Sequence, residues 1–181
     1  MSQDPIQFCC QCGEPITITI PEGDNRKRHV CLSCGYIQYQ NPKVVTGCIP
    51  VWEDKILLCK RAIEPRYGYW TLPAGFMENG ETLAQGAERE TWEEACAPLR
   101  DTTLYAVYSL PRISQVYVMF RANLLSPDDY GIGVESLDTG LFEEHEIPWD
   151  EIAFRVVEKT LKRYLEERVT GNFTVEVSDI I

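Results

Sequence analysis

Two Cys-x2-Cys pairs constrain this chain more than any other feature. Cys9 with Cys12 and Cys31 with Cys34 are separated by 18 residues. Four thiolates at that spacing, the zinc-ribbon range, surround a Zn²⁺ ion tetrahedrally. Each pair sits on a tight turn, and Gly13 and Gly35 suit the backbone angles such turns need. Cys10 offers a substitute ligand, but Cys9 gives the regular spacing. A set made wholly of thiols leaves no position open for a catalytic water, so the zinc is read as structural. A module of about 30 residues cannot build its own core, and the metal would supply most of its folding energy.

The compartment follows from the same residues. Of the eight cysteines, five lie in the first 34 residues. Met1 to Phe8 shows no basic segment followed by an apolar stretch, so no export signal is expected. Clustering without export favours metal over disulfides and a reducing cytoplasm, with an organelle as the alternative. No apolar run approaches the roughly 20 residues that span a bilayer, so no membrane partner is expected. Hydrophobic residues at 44% and charged residues at 25% match a chain that buries a core. Asp and Glu outnumber Lys and Arg by 28 to 17, a net charge of −11. Such a surface repels polyanions, which disfavours nucleic acid as a partner. A small phosphorylated ligand stays open if a metal or local basic patch meets it. Arg26-Lys27-Arg28, the compact basic run, is read as a solvated turn.

The pattern divides the chain into residues 1–39 and 40–181. In the first domain, strands are expected at Ile16–Ile20 and Lys27–Val30 around a turn at Pro21, Gly23, Asp24 and Asn25. In the second, Val44–Trp52 and Lys55–Cys59 read as a hairpin turning at Glu53-Asp54. Thr82–Ala95 reads as a helix with Thr82 and Gln85 as a capping box and Pro98 past its end. Val116, Val118, Phe120, Ala122 and Leu124 alternate with more polar residues, the mark of a half-buried strand. Leu125–Thr139 is loop-like, Trp149–Arg168 a second helix, and Phe173–Val177 an edge strand. His29 and His145 carry no motif and are read as surface residues. Cys48, Cys59 and Cys96 are read as small buried hydrophobes.

The first of these helices carries chemistry. At 3.6 residues per turn, Glu90, Glu93 and Glu94 share one face. Glu90 and Glu94 repel, and they lie near the negative end of the helix dipole. Something cationic should compensate, and hard oxygens packed this closely suit Mg²⁺ or Mn²⁺. Gly86, one turn before Glu90, leaves room for the preceding loop or a ligand.

The stretch Gly75-Phe76-Met77-Glu78-Asn79-Gly80-Glu81 with Arg89-Glu90-Thr91-Trp92-Glu93-Glu94-Ala95-Cys96 resembles the Nudix box. Gly75, Glu81, Arg89, Glu90, Glu93 and Glu94 fall in register, after the lead-in Trp70-Thr71-Leu72-Pro73-Ala74. Thr91 departs from the apolar position, and Cys96 from the second glycine. A zinc ribbon ahead of such a domain is a known arrangement. Tyr39 to Lys43, Leu57 to Arg61, Glu135-Ser136-Leu137 and Glu146-Ile147-Pro148 look like the branch containing FAD and ADP-ribose pyrophosphatases. The likeness runs from Phe8 to about Leu165.

The resemblance implies an α+β fold: a Nudix-type α/β/α sandwich with a mixed β-sheet, preceded by a small zinc ribbon. It implies hydrolysis of the pyrophosphate bond of a nucleoside diphosphate linked to X, most readily FAD or ADP-ribose, with release of AMP. Glu90 and Glu94 would ligate the Mg²⁺ or Mn²⁺, assisted by the Gly75 carbonyl, with Glu93 a ligand or the general base. Arg89 would orient the carboxylates, paired with Glu81, and Glu135 is a second candidate base. Arg61 is a candidate for a substrate phosphate. Tyr67, Tyr69 and Trp70 are candidates for stacking on a base. Relatives are commonly homodimers. The alternatives are an NADH pyrophosphatase, whose Ser-Gln-Pro-Trp-Pro-Phe-Pro segment is replaced here by Leu110 to Gln115, and a non-catalytic nucleotide sensor.

Overall fold

The structure is a computed structural model that describes residues 6–181. Met1 to Pro5, with the start of the first domain and most of the segment read for an export signal, lie outside the described residues. The described residues fall into one unit ending at Pro42 and another beginning at Lys43.

In the first unit, β1 (Ile16–Thr19), β2 (Arg28–Cys31) and β3 (Ile37–Gln38) form an antiparallel sheet in that order. The turn between β1 and β2 is organised by Asp24. Its carboxylate accepts the N–H groups of Asn25 and Arg26 and pairs with Arg28 Nε at 2.8 Å. Arg28 also lies over the Tyr39 ring, so one residue of the basic run is already engaged. His29, expected on the surface, instead has its Nε2 buried without a partner on β2.

The second unit opens with β4 (Lys43–Trp52) and β5 (Lys55–Arg61). Val51 pairs with Ile56 and Trp52 with Lys55, a two-residue turn in which Glu53 takes φ +52°. Then come β6 (Trp70–Thr71), β7 (Ala74–Phe76), α1 (Leu83–Ala95), β8 (Leu99–Leu110), β9 (Gln115–Leu124), β10 (Ser136–Phe142), α2 (Arg155–Arg168) and β11 (Glu176–Asp179). The strands make one eight-stranded sheet in the order β10-β5-β4-β9-β8-β11, with β6 beside β5 and β7 beside β4. The β4–β9 and β8–β11 pairs are parallel and the others antiparallel, so the sheet is mixed.

Strand alternation sorts the side chains between two layers. Cys48, Val118, Phe120 and Ala122 cluster with Ala87 of α1. Ile49, Val51, Ile56, Leu58 and Met119 cluster with Val156, Val157, Leu161, Tyr164 and Leu165 of α2. The sheet therefore lies between the two helices, and burying each large apolar side chain contributes about 1.5–3 kcal/mol. Among the described residues, no helix is long and apolar enough to cross a membrane.

Five expectations change. The β9 strand is covered on both faces, because it sits at the sheet's centre and Met119 is buried as well as Phe120. The twelve-residue β8 was not foreseen: register shifts near Arg100 and Tyr105 break the alternation that would announce it. Residues 136–139, expected in a loop, begin β10 opposite β5. The second helix starts at Arg155, not Trp149. Trp149–Glu151 makes one tight 3₁₀ turn, and Ile152 then bridges to Trp70 while the Ala153 N–H donates to the Trp70 carbonyl at 2.8 Å. That tertiary pairing holds the segment extended against its helical pattern. The edge strand forms slightly late, at Glu176–Asp179.

Candidate functional site

In the first unit the four sulfurs converge. Cys9 and Cys34 Sγ are 3.7 Å apart, and Cys12 Sγ is 3.5 Å from both Cys31 and Cys34. A tetrahedron of Zn–S bonds of about 2.3 Å puts its sulfurs about 3.8 Å apart, so the set fits Zn²⁺. Cys10 is exposed and outside the set. Gly13 and Gly35, both at φ +76°, return their N–H groups to the carbonyls of Cys9 and Cys31 at 2.9 Å.

In the second unit, Thr82 caps α1 and makes the reciprocal bonds of a capping box with Gln85. The helix presents Arg89, Glu90, Glu93 and Glu94. Arg89 is the hub. Its Nε and Nη2 hold Glu81 at 3.0 and 2.9 Å, and its Nη1 reaches Glu90 at 2.8 Å and Glu93 at 2.9 Å. Nη2 also donates to the Phe76 carbonyl at 3.1 Å, which ties the loop to the helix. Glu81 accepts the Glu78 N–H at 2.7 Å as well. The guanidinium holds the Glu81 carboxyl down to about 2.

Gly75 lies against Glu90: a Cβ there would come within 2.3 Å of the carboxylate. Glu90 and Glu94 are both buried. Glu94 Oε2 has no hydrogen-bond partner. Burial pushes the Glu94 carboxyl up to about 8, with the charges of Glu90 and Glu135 adding and Arg61 opposing. Burial also raises Glu90, against the pull of Arg89. Two buried carboxyls, a free oxygen and a glycine that clears the approach fit a hard divalent cation. Gly86 serves the loop: a Cβ there would meet Thr46 at 2.5 Å and Glu81 at 2.7 Å.

Glu135 ends the loop before β10, and its charge acts on both Glu90 and Glu94. Arg61, at the end of β5, donates from Nε to the Pro65 carbonyl at 2.9 Å and lies over the Phe154 ring. Arg61, Gly75, Glu81, Arg89, Glu90, Glu93, Glu94 and Glu135 are thus brought to one end of the sheet.

Other candidates lie elsewhere or differ from expectation. Trp70 is a core residue, edge-on to Phe142 at 4.9 Å and covered by Lys60, so it is not free to stack on a base. Tyr67 is exposed, while Tyr69 is half-buried with Arg66 over its ring. Cys96 is exposed, not buried, and caps α1 at φ +49°, where the motif it resembles has glycine. Cys48 and Cys59 are buried as expected, and His145 is exposed. Thr91 is fully buried, its hydroxyl satisfied by the Ala87 carbonyl at 2.8 Å. Sequence reasoning assigned no role to Phe154, and none to Ser136 although it quoted the segment that holds it. Phe154 has no local signal, whereas Gly131 and Gly133 before Ser136 could have marked a close approach.

Comparison with known proteins agrees with this layout. The zinc ribbon described as Nudix N-terminal matches residues 7–40, and the NUDIX domain matches residues 41–165. The NAD-capped RNA hydrolase NudC of Chromobacterium violaceum is 29% identical over 143 residues, 78% of this chain and 52% of that protein. The chain thus spans about half the length of that relative. The ADP-ribose pyrophosphatase of Methanocaldococcus jannaschii is 31% identical over 134 residues, 72% of this chain and 77% of that protein. A crystal structure of a NUDIX hydrolase from Nitrosomonas europaea is 58% identical, with a TM-score of 0.91 over 97% of this chain and 100% of that one. A bifunctional NMN adenylyltransferase/ADP ribose pyrophosphatase from Francisella tularensis, complexed with AMP and manganese, shares the fold alone. Its TM-score is 0.63 at 21% identity, over 71% of this chain and 42% of that one.

Proposed function

The chain belongs to the Nudix hydrolase family, and on that premise we propose that it hydrolyses the pyrophosphate bond of an ADP-containing metabolite. ADP-ribose stands first, then FAD, with NADH as the alternative. Water adds to one phosphorus and the bridging P–O bond breaks, which gives AMP and ribose 5-phosphate from ADP-ribose, or AMP and FMN from FAD. The observation that carries this reading is the buried Glu90–Glu94 pair beside Gly75, with Glu94 Oε2 unpartnered.

Glu90 and Glu94 would hold the divalent cation, with the Gly75 carbonyl assisting. When bound, that ion neutralises diphosphate oxygens and lowers the pKa of water. Arg89 keeps Glu81, Glu90 and Glu93 in one arrangement, so little reorganisation is left for the moment of reaction. Arg61 is held by Pro65 and the Phe154 ring, and its guanidinium would take a phosphate oxygen. Glu135 is the base we favour. Its carboxylate would accept the proton of the attacking water, whereas Glu93 is engaged by Arg89 at 2.9 Å. The zinc ribbon is assigned a structural role, and a homodimer is the expected assembly, to be read by light scattering.

The choice of ADP-ribose is supported by the Methanocaldococcus relative, most of whose length this chain spans. NADH is kept because the Chromobacterium relative is an NAD-capped RNA hydrolase. A panel of ADP-ribose, FAD, NADH and a nucleoside triphosphate, with Mg²⁺ or Mn²⁺ and chromatographic products, ranks them. AMP formed fastest from ADP-ribose is the expected result. Preference for NADH moves the substrate to the alternative. Nucleotide binding without turnover favours a sensor.

A further inference from the structure

The last carbonyls of a helix have no partners within it. In α1 two of them belong to Glu93 and Glu94, and one loop takes these up together with the Ala95 carbonyl. Gly131 N–H donates to the Ala95 carbonyl at 2.7 Å, Gly133 N–H to Glu94 at 3.1 Å and Val134 N–H to Glu93 at 3.3 Å. The Ser136 hydroxyl donates to the Glu94 carbonyl at 2.7 Å. The loop passes so close at Gly133 that a Cβ there would overlap the backbone carbonyl oxygen of Glu93. On its other side the same strap is tied to β5. The Glu135 carbonyl accepts the Ala62 N–H at 2.8 Å, and Ser136 pairs with Arg61. Ser136 is buried, and the fully buried Cys59 thiol lies against its hydroxyl.

We propose that Ser136 is a positioning residue for Glu94. By holding the carbonyl of Glu94 itself, its hydroxyl sets where that residue's carboxylate stands, and so the affinity of the site for its divalent cation. The inference rests on reading Glu90 and Glu94 as the cation's ligands. The Glu94 side chain is buried and cannot adapt as a solvated one would. A tilt of the last turn therefore moves its oxygens relative to Glu90, one turn earlier and fixed by Arg89. Removing the hydroxyl leaves the Gly133 N–H on the same carbonyl, so the fold persists while the turn loosens. Groups that orient metal ligands typically change metal affinity about 10- to 100-fold when lost.

The test is Mn²⁺ binding to the full-length, zinc-loaded protein, read by the electron paramagnetic resonance of free Mn²⁺ beside the thermal midpoint. The expected result is tight binding by wild type and its loss in Glu94→Gln. Ser136→Ala should bind about tenfold more weakly or worse at a nearly unchanged midpoint. Ser136→Thr, which keeps the hydroxyl, should recover most of the affinity. A folded Ser136→Ala protein that binds as tightly as wild type overturns the inference and leaves the ligand reading intact. Ser136→Thr as weak as Ser136→Ala also overturns it. Wild type binding no better than Glu94→Gln overturns both.

Discussion

The cysteines of the first unit and the glutamates of α1 are both crowded sets of metal-ligating side chains, and they meet the crowding in opposite ways. The four sulfurs lie within 4.8 Å of one another, all of one kind. A metal ion would answer the charge of their thiolates, and a full set of four would leave no ligand position free. Around α1 the protein supplies its own cation. Arg89 satisfies Glu81, Glu93 and one oxygen of Glu90, and leaves Glu94 Oε2 without a partner. The second cluster is therefore balanced without a metal and would still keep a ligand oxygen open. On the proposed reading, an arginine inside the set would separate a metal that builds a fold from a metal that serves a reaction.

The largest effect expected from breaking this contrast is at the cysteines. Chelation of zinc, or Cys31→Ser, should unfold residues 7–40, because structural zinc contributes about 10 kcal/mol or more to such modules. Amide NMR dispersion should collapse for those residues and persist for α1. Elemental analysis of wild type should give one zinc per chain.

Next comes the pH response of the metal-free acidic cluster. The folded-state pKa of Glu94, about 8, lies above its ordinary value of 4.5. The folded protein holds that proton more tightly than the unfolded chain. Its contribution is therefore fully present below about 4.5 and lost as pH rises to about 8. Denaturant titrations across that range should show falling stability, a flatter slope in Glu94→Gln, and recovery on adding Mg²⁺.

Arg89→Lys tests the hub itself. A lysine keeps the charge but cannot bridge three carboxylates with a planar fork. Turnover should fall about 10- to 100-fold with the protein still folded. A lysine variant with wild-type kcat would remove the hub from the account. The smallest effect is at the helix end. Cys96 adopts φ +49°, which an L-residue takes at a cost and glycine does not. Cys96→Gly should raise stability by about 0.5–1 kcal/mol, seen as a higher thermal midpoint.

What was legible in the sequence was local. The Cys-x2-Cys spacing, the capping box at Thr82 and Gln85, and the interval from Gly75 to Glu94 are set by a few bonds along the chain. They predict the ribbon, the helix and the carboxylate face without tertiary knowledge. The rest depended on partners distant in sequence. Ile152 and Ala153 carry a helical pattern but pair with Trp70, and this delays α2 and leaves Phe154 free to support Arg61. Irregular register hid β8. The aromatic lead-in before Gly75 suggested a stacking platform, yet Trp70 is consumed by the core. The acidic face was readable, but the unpartnered oxygen of Glu94 was not, because it depends on Arg89 having chosen its other neighbours.

If the buried Glu90–Glu94 pair holds the cation, pyrophosphate cleavage depends on a divalent ion. AMP release from ADP-ribose, followed against Mg²⁺ concentration in wild type and Glu94→Gln, tests it most directly. Wild type should show saturable Mg²⁺-dependent release. The variant should lose roughly a thousandfold, the scale of the several kcal/mol a catalytic cation supplies. Cleavage that proceeds without added divalent ion in the presence of a chelator, or that survives in Glu94→Gln, would contradict it.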